Sequence, residues 1–274
     1  MKGLVHKNYK DVFRGVRYGL SLKKAIAIYG LLILPGWVLW LLFRNPWWLL
    51  ILLVPYFFLK IAISKMVFEQ LKGDDFYPLD KSMKFALRNF KHYLAFFIVD
   101  VVLIAFFYLL FVLIAFLGKV NFIVGALLLP IALFVFAFIL YLVIALIMSE
   151  SVGISAIATQ EYDAFDTLYE SLSMFNSQVY RFVAYKTINM IQSYLTAIVI
   201  GGVIYLGYLA WISITGWGLD ELIFYVVLSF AYSFKLSVWF ATDLIAYLVM
   251  VYKRDGVDLS KGLPEALQNM KSEG

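Results

Sequence analysis

Six long apolar runs constrain this chain more than any other feature of its sequence. They cover residues 25–43, 47–67, 93–117, 122–148, 180–214 and 222–251. A helix crosses the hydrocarbon of a bilayer with about 20 mostly apolar residues, and each run is close to or above that length. Since 64% of the 274 residues are hydrophobic and only 15% are charged, a soluble fold could not cover the apolar surface. The sequence therefore predicts an all-α membrane protein, a single integral membrane domain over residues 1–274 with six transmembrane helices.

The positive charges predict the direction of the spans. Eighteen of the 23 Lys and Arg residues lie in the N-terminal segment, the C-terminal tail and the two connections on the same side, counting those at the adjoining span ends. The three opposite connections contain only Arg44 and Lys119. Because Lys and Arg accumulate in cytoplasmic loops, both termini are predicted to be cytoplasmic and the membrane to be the cell (inner) membrane. Tryptophans, which prefer membrane interfaces, lie near the outer ends of the spans at Trp37, Trp40, Trp47, Trp48, Trp211 and Trp217.

Composition and missing motifs exclude several kinds of site. The chain has no cysteine, which rules out disulfides, thiolate metal sites and iron–sulfur clusters. Its two histidines, His6 and His92, fall outside the spans, which excludes a bis-histidine haem within the membrane. The sequence contains no glycine-rich phosphate loop, H-E-x-x-H or G-x-S-x-G pattern. We predict no cofactor, no metal site and no enzymatic activity, and we interpret the polar, basic N-terminus as mature protein rather than a cleaved signal.

The polar segments on the side of the termini indicate three pseudo-repeats. The repeats are residues 1–67, 68–148 and 149–251, with a cytoplasmic tail at 252–274. Each begins with an amphipathic stretch (9–24, 79–92 or 165–178) that leads, after a polar break, into two spans joined by a short turn. Ser21, Asn89 and Asn176 occupy equivalent positions at these breaks. Helical spacing of apolar residues predicts that the stretches are amphipathic helices, and Pro264 predicts the start of a further helix in the tail.

Two sequence stretches carry a family resemblance. They are ISAIATQEYDAFDTLYESLSMF at residues 154–175 and YLVMVYKRDGVDL at residues 247–259. The first is similar to a segment of one membrane-protein family that consists of a short helix, an acidic or glycine-rich turn and an amphipathic helix. The second is similar to the signature that closes the membrane domain of the same family. The residues that match this signature are Arg254, Gly256, Asp258 and Leu259, whereas Asp255 replaces its usual Glu. The chain thereby resembles the membrane-domain superfamily associated with glycerophosphoryl-diester phosphodiesterases and its six-span relatives. This resemblance implies a fold and a membrane location but no reaction, because the catalytic activity of such proteins belongs to a separate soluble barrel domain.

Five ionisable residues fall inside the predicted spans and away from their ends. They are Lys60, Asp100, Lys186, Lys235 and Asp243. A charge at the bilayer centre costs about 3 kcal/mol, so each of these residues needs a partner or water. At 1.5 Å per residue, all but Lys235 lie roughly 9–12 Å inside the cytoplasmic boundary, which predicts mutual pairing and, in particular, an ion pair between Lys186 and Asp243. Lys235 falls near the middle of the sixth span, with no carboxylate at its depth.

Polar residues also form a stripe along the fifth span. Lys186, Asn189, Ser193 and Thr196 lie on one helical face with Gln192 beside them, and Ser229, Ser233, Asp243 and Tyr247 form a second stripe on the sixth span. The two stripes predict a candidate polar site inside the membrane. Two interpretations stay open at this point: a buried hydrogen-bonded seam between helices, or a water-filled cavity that binds a ligand.

Three functions are compatible with these patterns, and the third, a membrane-embedded enzyme, is the least favoured because His, Cys and acidic catalytic motifs are missing. The first is a non-enzymatic membrane subunit, a scaffold, assembly factor or partner-binding component at the inner leaflet. The alternative is a transporter or permease component that moves a small solute or lipid through the polar site between spans 5 and 6. The predicted partners are the bilayer, other membrane subunits and anionic lipid headgroups, which basic residues of the amphipathic stretches would contact. These basic residues are Lys23, Lys24, Lys81, Lys84, Arg88 and Lys91. We expect no nucleic acid, because the orientation of the spans already explains the net charge of +5.

Overall fold

The computed structural model describes Leu4 and residues 6–261, apart from the side chains of Trp48 and Lys261. Six of its helical segments are long and apolar enough to cross a membrane. These segments are Leu22–Phe43, Leu49–Lys72, Leu79–Leu117, Phe122–Ser149, Ala164–Thr215 and Glu221–Asp255. The prediction of six spanning helices is therefore confirmed by length and composition, and the chain is a multi-pass membrane protein. The helix predicted at Pro264 lies outside the described residues.

Eleven α-helices make up most of the described chain. They are α1 (Tyr9–Val12), α2 (Gly15–Gly19), α3 (Leu22–Ile28), α4 (Leu34–Phe43), α5 (Leu53–Lys72), α6 (Leu79–Leu117), α7 (Phe122–Ser149), α8 (Val152–Gln160), α9 (Ala164–Thr215), α10 (Glu221–Leu228) and α11 (Phe230–Asp255). A π-helical turn joins α3 to α4, and a 3-10 helix, Pro46–Leu52, leads into α5. The first span is thus α3 with α4, the second is the 3-10 helix with α5, and the sixth is α10 with α11.

The bundle is packed very differently at its two ends. Every residue of α5 from 59 to 68 is buried, and so is every residue of α11 from 235 to 251 except Trp239. Both stretches belong to what we call the terminal half, because the described ends of the chain lie beside it. In the opposite, turn half, α6 and α7 share only a small separate core of Ile114, Val135 and Ile139. Most of their other side chains there are exposed and apolar, as expected of helices that face lipid.

The exposed residues of α6 change character within one turn. Those between residues 80 and 91 are Asp80, Lys81, Lys84, Leu87, Arg88 and Lys91. From Leu94 to Leu117, every exposed residue is aliphatic or aromatic. A strip of aliphatic and aromatic residues of about this length matches the hydrocarbon thickness. We infer that the hydrocarbon begins near Leu94 and that the terminal half lies at and beyond the membrane interface.

The predicted amphipathic stretches are only partly separate from the spans. The second stretch continues into its span as one unbroken helix, α6, because Asn89 donates to the carbonyl of Phe85 in its own helix and does not interrupt it. The third stretch and its span are merged in α9, with non-helical backbone angles at Gln178 only. Leu87 and Phe165, expected on apolar faces, are about three-quarters exposed, at 74% and 76%.

The first stretch is part of the bundle and not an amphipathic surface helix. It forms two short helices, α1 and α2, whose Gly15 and Gly19 are buried against α11. An added Cβ would lie 2.0 Å from Thr242 Oγ1 at Gly15 and 2.4 Å from Val238 Cα at Gly19. Glycine is therefore required at both positions for the backbone of α2 to approach α11. The hydroxyl of Ser237 donates to the carbonyl oxygen of Gly19 at 2.7 Å.

Helix α8 connects the spans of the second and third predicted repeats. Its residues 152–158 are all buried. The chain then turns through Glu161, whose φ of 57° is left-handed, and Asp163 caps α9 by accepting from two backbone amides. This is the short helix, acidic turn and helix that residues 154–175 predicted.

Candidate functional site

Four charged side chains meet in the terminal half and form what we call the charge cluster. It consists of Lys60, Glu150, Lys186 and Asp243. Lys60 Nζ donates to Asp243 Oδ2 at 2.6 Å and to Glu150 Oε1. Lys186 Nζ lies 3.1 Å from both carboxylate oxygens of Asp243 and 3.2 Å from Glu150 Oε2. The predicted ion pair between Lys186 and Asp243 is therefore confirmed, and the two ammonium and two carboxylate charges balance.

Four different segments position these side chains. Lys60 comes from α5, Glu150 follows the last residue of α7, and Lys186 and Asp243 come from α9 and α11. Uncharged donors complete the coordination: Ser151 Oγ donates to Asp243 Oδ2 at 2.9 Å, and Asn189 Nδ2 donates to Asp243 Oδ1 at 2.6 Å. Lys60 is fully buried and Asp243 is 3% exposed. Buried charges are tolerated when they are paired and hydrogen-bonded in this way.

Glu150 is ionised in this environment. Burial on its own would raise the pKa of its carboxyl group, but the nearby ammonium groups of Lys60 and Lys186 outweigh burial and lower that pKa below its usual range. The hydroxyl of Tyr56 adds a hydrogen bond of 2.6 Å to Glu150 Oε1. Glu150 therefore carries a negative charge at neutral pH.

The cluster is close in height to the exposed basic residues near the start of α6. Phe58 of α5 contacts Phe90 of α6, with ring centroids 6.3 Å apart. Lys60 follows Phe58 by half a turn, which brings it level with the exposed Arg88 and Lys91. The depth of roughly 9–12 Å estimated from the sequence stays a prediction. It assumed that the apolar stretches of α5 and α11 face lipid throughout, whereas their terminal parts are buried in protein.

One predicted member of the cluster is misplaced and another was missed. Asp100 does not pair with Lys60 or Lys186, because neither of its carboxylate oxygens has a hydrogen-bond partner among the described residues. Glu150 takes the place expected for Asp100. It follows the fourth apolar run directly, so its position in the sequence predicts only a polar connection and not the contact with Lys60 and Lys186. Without Asp100, the predicted group contains two lysines and one aspartate. This excess of one positive charge is the signal that indicates a further carboxylate.

The polar stripe on α9 forms a seam rather than an open channel. Asn189 reaches Asp243 and the carbonyl of Trp239, and Gln192 Nε2 donates to the carbonyl of Val12 at 3.5 Å. Ser193 bonds to a carbonyl of its own helix, that of Met190. The cavity beside the cluster has a volume of only about 10 Å³, which is room for a single water molecule.

Lys235 is apart from the charge cluster. Its Nζ donates to Tyr232 Oη at 3.2 Å and lies 3.8 Å and 4.3 Å from the ring centroids of Tyr194 and Tyr232. No carboxylate of the described residues pairs with it. Tyrosine rings stabilise the cation in place of an anion.

The two stretches that carry the family resemblance contact each other. Arg254 Nη2 pairs with both carboxylate oxygens of Glu170 at 3.0 and 3.1 Å. The fully buried Tyr247 donates to Glu170 at 3.1 Å and accepts a hydrogen bond from Gln160 at 2.7 Å. Within the described part of the chain, no three His, Asp or Glu residues group closely enough to hold a metal ion. These hydrogen bonds and this ion pair join α9 to α11 and stabilise the fold.

Comparisons with known proteins add no family to this picture. No protein-family model, curated protein or solved structure matches the chain. The resemblance to the phosphodiesterase-associated membrane domain therefore stays a prediction.

Proposed function

We propose that the chain is a non-enzymatic integral membrane subunit, a scaffold or partner-binding component at the inner leaflet of the cell membrane. The observation that carries this proposal is the closed charge cluster. Its four charges satisfy one another, and the adjacent cavity of about 10 Å³ admits no solute larger than water. Such a cluster fixes the relative positions of α5, α9 and α11, which suits a rigid platform.

The proposed orientation has both termini in the cytoplasm, with three helical hairpins that originate from repeats. The excess of Lys and Arg on the side of the termini supports this orientation. On α6 the exposed Lys81, Lys84, Arg88 and Lys91 lie on the terminal side of Leu94. Anionic lipids of the cytoplasmic leaflet attract such residues by about 1 kcal/mol per charge.

A protein partner would bind the exposed aromatic side chains at the start of α9. Phe165 and Tyr169 are 76% and 74% exposed and lie one turn apart on the same helical face. They belong to the terminal half, so lipid tails do not account for their exposure. Exposed aromatic residues of this kind are enriched in protein interfaces.

Native mass spectrometry of the full chain, purified in mild detergent from the cells that make it, tests this proposal. We expect a stoichiometric complex with another membrane protein. The double substitution Phe165→Ser and Tyr169→Ser should release the partner, whereas Leu87→Ser, at an equally exposed position on α6, should retain it. A chain that is always recovered without a partner contradicts the proposal.

A transporter or permease component is the second candidate, because the small cavity is lined by the charged Lys186 and Asp243. A transport cycle would open this cavity to water, and the amides of α9 near residues 186–193 would then exchange their hydrogens rapidly. The scaffold predicts slow exchange there, comparable to that of residues 240–250 of α11. Hydrogen-exchange mass spectrometry in lipid nanodiscs separates the two functions.

A further inference from the structure

Lys235 is a buried cation that lacks an anion. Its side chain is within reach of Tyr232 Oη and two tyrosine rings, and no carboxylate of the described residues lies within 4.0 Å of its Nζ. The residue is only 6% exposed. Lys60 and Lys186, the lysines of the charge cluster, each have two carboxylate partners. A positive charge left without a counter-charge near a membrane favours an anionic ligand.

The depth of Lys235 corresponds to that of the lipid headgroups. Ser237, two residues further along α11, bonds to the carbonyl of Gly19. Gly19 precedes the first spanning segment, which begins at Leu22. Lys23, the second residue of that segment, is exposed. Lys235 is thus level with the beginning of the first span rather than with the bilayer centre expected from the sequence.

An apolar groove begins beside Lys235 and extends into the turn half. It has a volume of about 490 Å³, within the range of small-molecule sites. Tyr232 and Leu236, which flank Lys235 along α11, line one wall of the groove. Trp37 and Trp40 of α4 line the opposite wall. Tyr232 therefore contacts both the groove and the lysine.

We propose that Lys235 and Tyr232 bind the phosphate of an anionic phospholipid, one of whose acyl chains occupies this groove. The hydroxyl of Tyr232 accepts from Lys235 and keeps its own proton to donate to a phosphate oxygen. Tyr232 and Tyr194 are about half exposed, at 46% and 51%, so a headgroup can reach them from the lipid side. Basic pockets between transmembrane helices bind anionic headgroups in this manner. The proposal does not depend on the scaffold function.

Trp37 and Trp40 provide a direct readout, because bromine atoms on an acyl chain quench tryptophan fluorescence on contact. The full chain is reconstituted in phosphatidylcholine vesicles that contain a small fraction of brominated phosphatidylglycerol or, in the matched arm, brominated phosphatidylcholine. We expect stronger quenching by the anionic lipid, with a relative binding constant of about fivefold, the ratio that about 1 kcal/mol for one charge gives. The double substitution Trp37→Phe and Trp40→Phe should remove the difference between the two lipids.

Substitutions then assign the headgroup contact. Lys235→Met should abolish the preference for the anionic lipid, and Lys23→Met, at an exposed lysine of the same level, should preserve it. Tyr232→Phe keeps the ring and should reduce the preference if Lys235→Met fails to fold. Equal quenching by the two lipids in the unmodified chain, or an unchanged preference after Lys235→Met, overturns the proposal. Loss of the preference on addition of inorganic phosphate would also overturn it, because the site would then take a free anion.

Discussion

Asp243 accepts hydrogen bonds from four side chains at once, those of Lys60, Lys186, Ser151 and Asn189. Removal of its charge leaves the buried Lys60 and the partly buried Lys186 with Glu150 as their only carboxylate. Breaking a buried pair in this way typically costs about 3–5 kcal/mol. We therefore expect Asp243→Asn to lower the melting temperature in detergent strongly.

Asp255 offers a matched control for this prediction. Its carboxylate also forms an ion pair, with Arg254, but its side chain is 38% exposed. Exposed pairs contribute about 0–1 kcal/mol, so Asp255→Asn should change the melting temperature little. Equal effects of the two substitutions would show that the charge cluster does not stabilise the fold.

The lowered pKa of Glu150 predicts a dependence of stability on pH. A carboxyl group whose pKa is lower in the folded state stabilises the fold fully above its unfolded pKa, which is about 4.3. That contribution is lost as the pH falls through the folded pKa. The difference in unfolding free energy between the native chain and Glu150→Gln should thus be constant near neutral pH and should shrink below about pH 4.3. A difference that grows on acidification would contradict the cluster geometry.

At the scale of elements, the sequence predicted the six spans better than it predicted their ends. Apolar composition fixed the spans, but it did not distinguish burial in lipid from burial in protein. Residues 59–68 of α5 and most of 235–251 of α11 are apolar because other helices cover them. Glu150 was missed because sequence periodicity does not show that the turn between α7 and α8 brings it to Lys60 and Lys186.

The contact of α2 with α11 is a further element that sequence periodicity did not reveal. We expect Gly15→Ala and Gly19→Ala each to destabilise the protein by about 1–3 kcal/mol, because the added methyl group meets Thr242 or the backbone of Val238. Gly202→Ala is the control, since nothing lies within 4 Å of the added carbon. It should be neutral or slightly stabilising, as alanine favours helix. Thermal unfolding in detergent measures all three, and unchanged stability of Gly15→Ala would argue against the close approach.

At the scale of the whole molecule, the protein combines a tightly packed terminal half with a loosely packed turn half whose exposed side chains are mostly apolar. The tight burial of α5, α8 and α11 and the closed charge cluster belong to the first half. The apolar exposed faces of α6 and α7 belong to the second. The central claim is that the turn half crosses the bilayer and that the terminal half, with both termini, lies on the cytoplasmic side.

Cysteine accessibility tests this claim most directly, because the chain has no cysteine of its own. Val120→Cys and Trp217→Cys place a thiol at exposed turns, and Asp75→Cys and Lys81→Cys place one at exposed positions of the terminal half. In intact cells, a membrane-impermeant maleimide should label the first pair and should label the second pair only after permeabilisation. Labelling of Val120→Cys and Asp75→Cys from the same side would contradict the six-span arrangement.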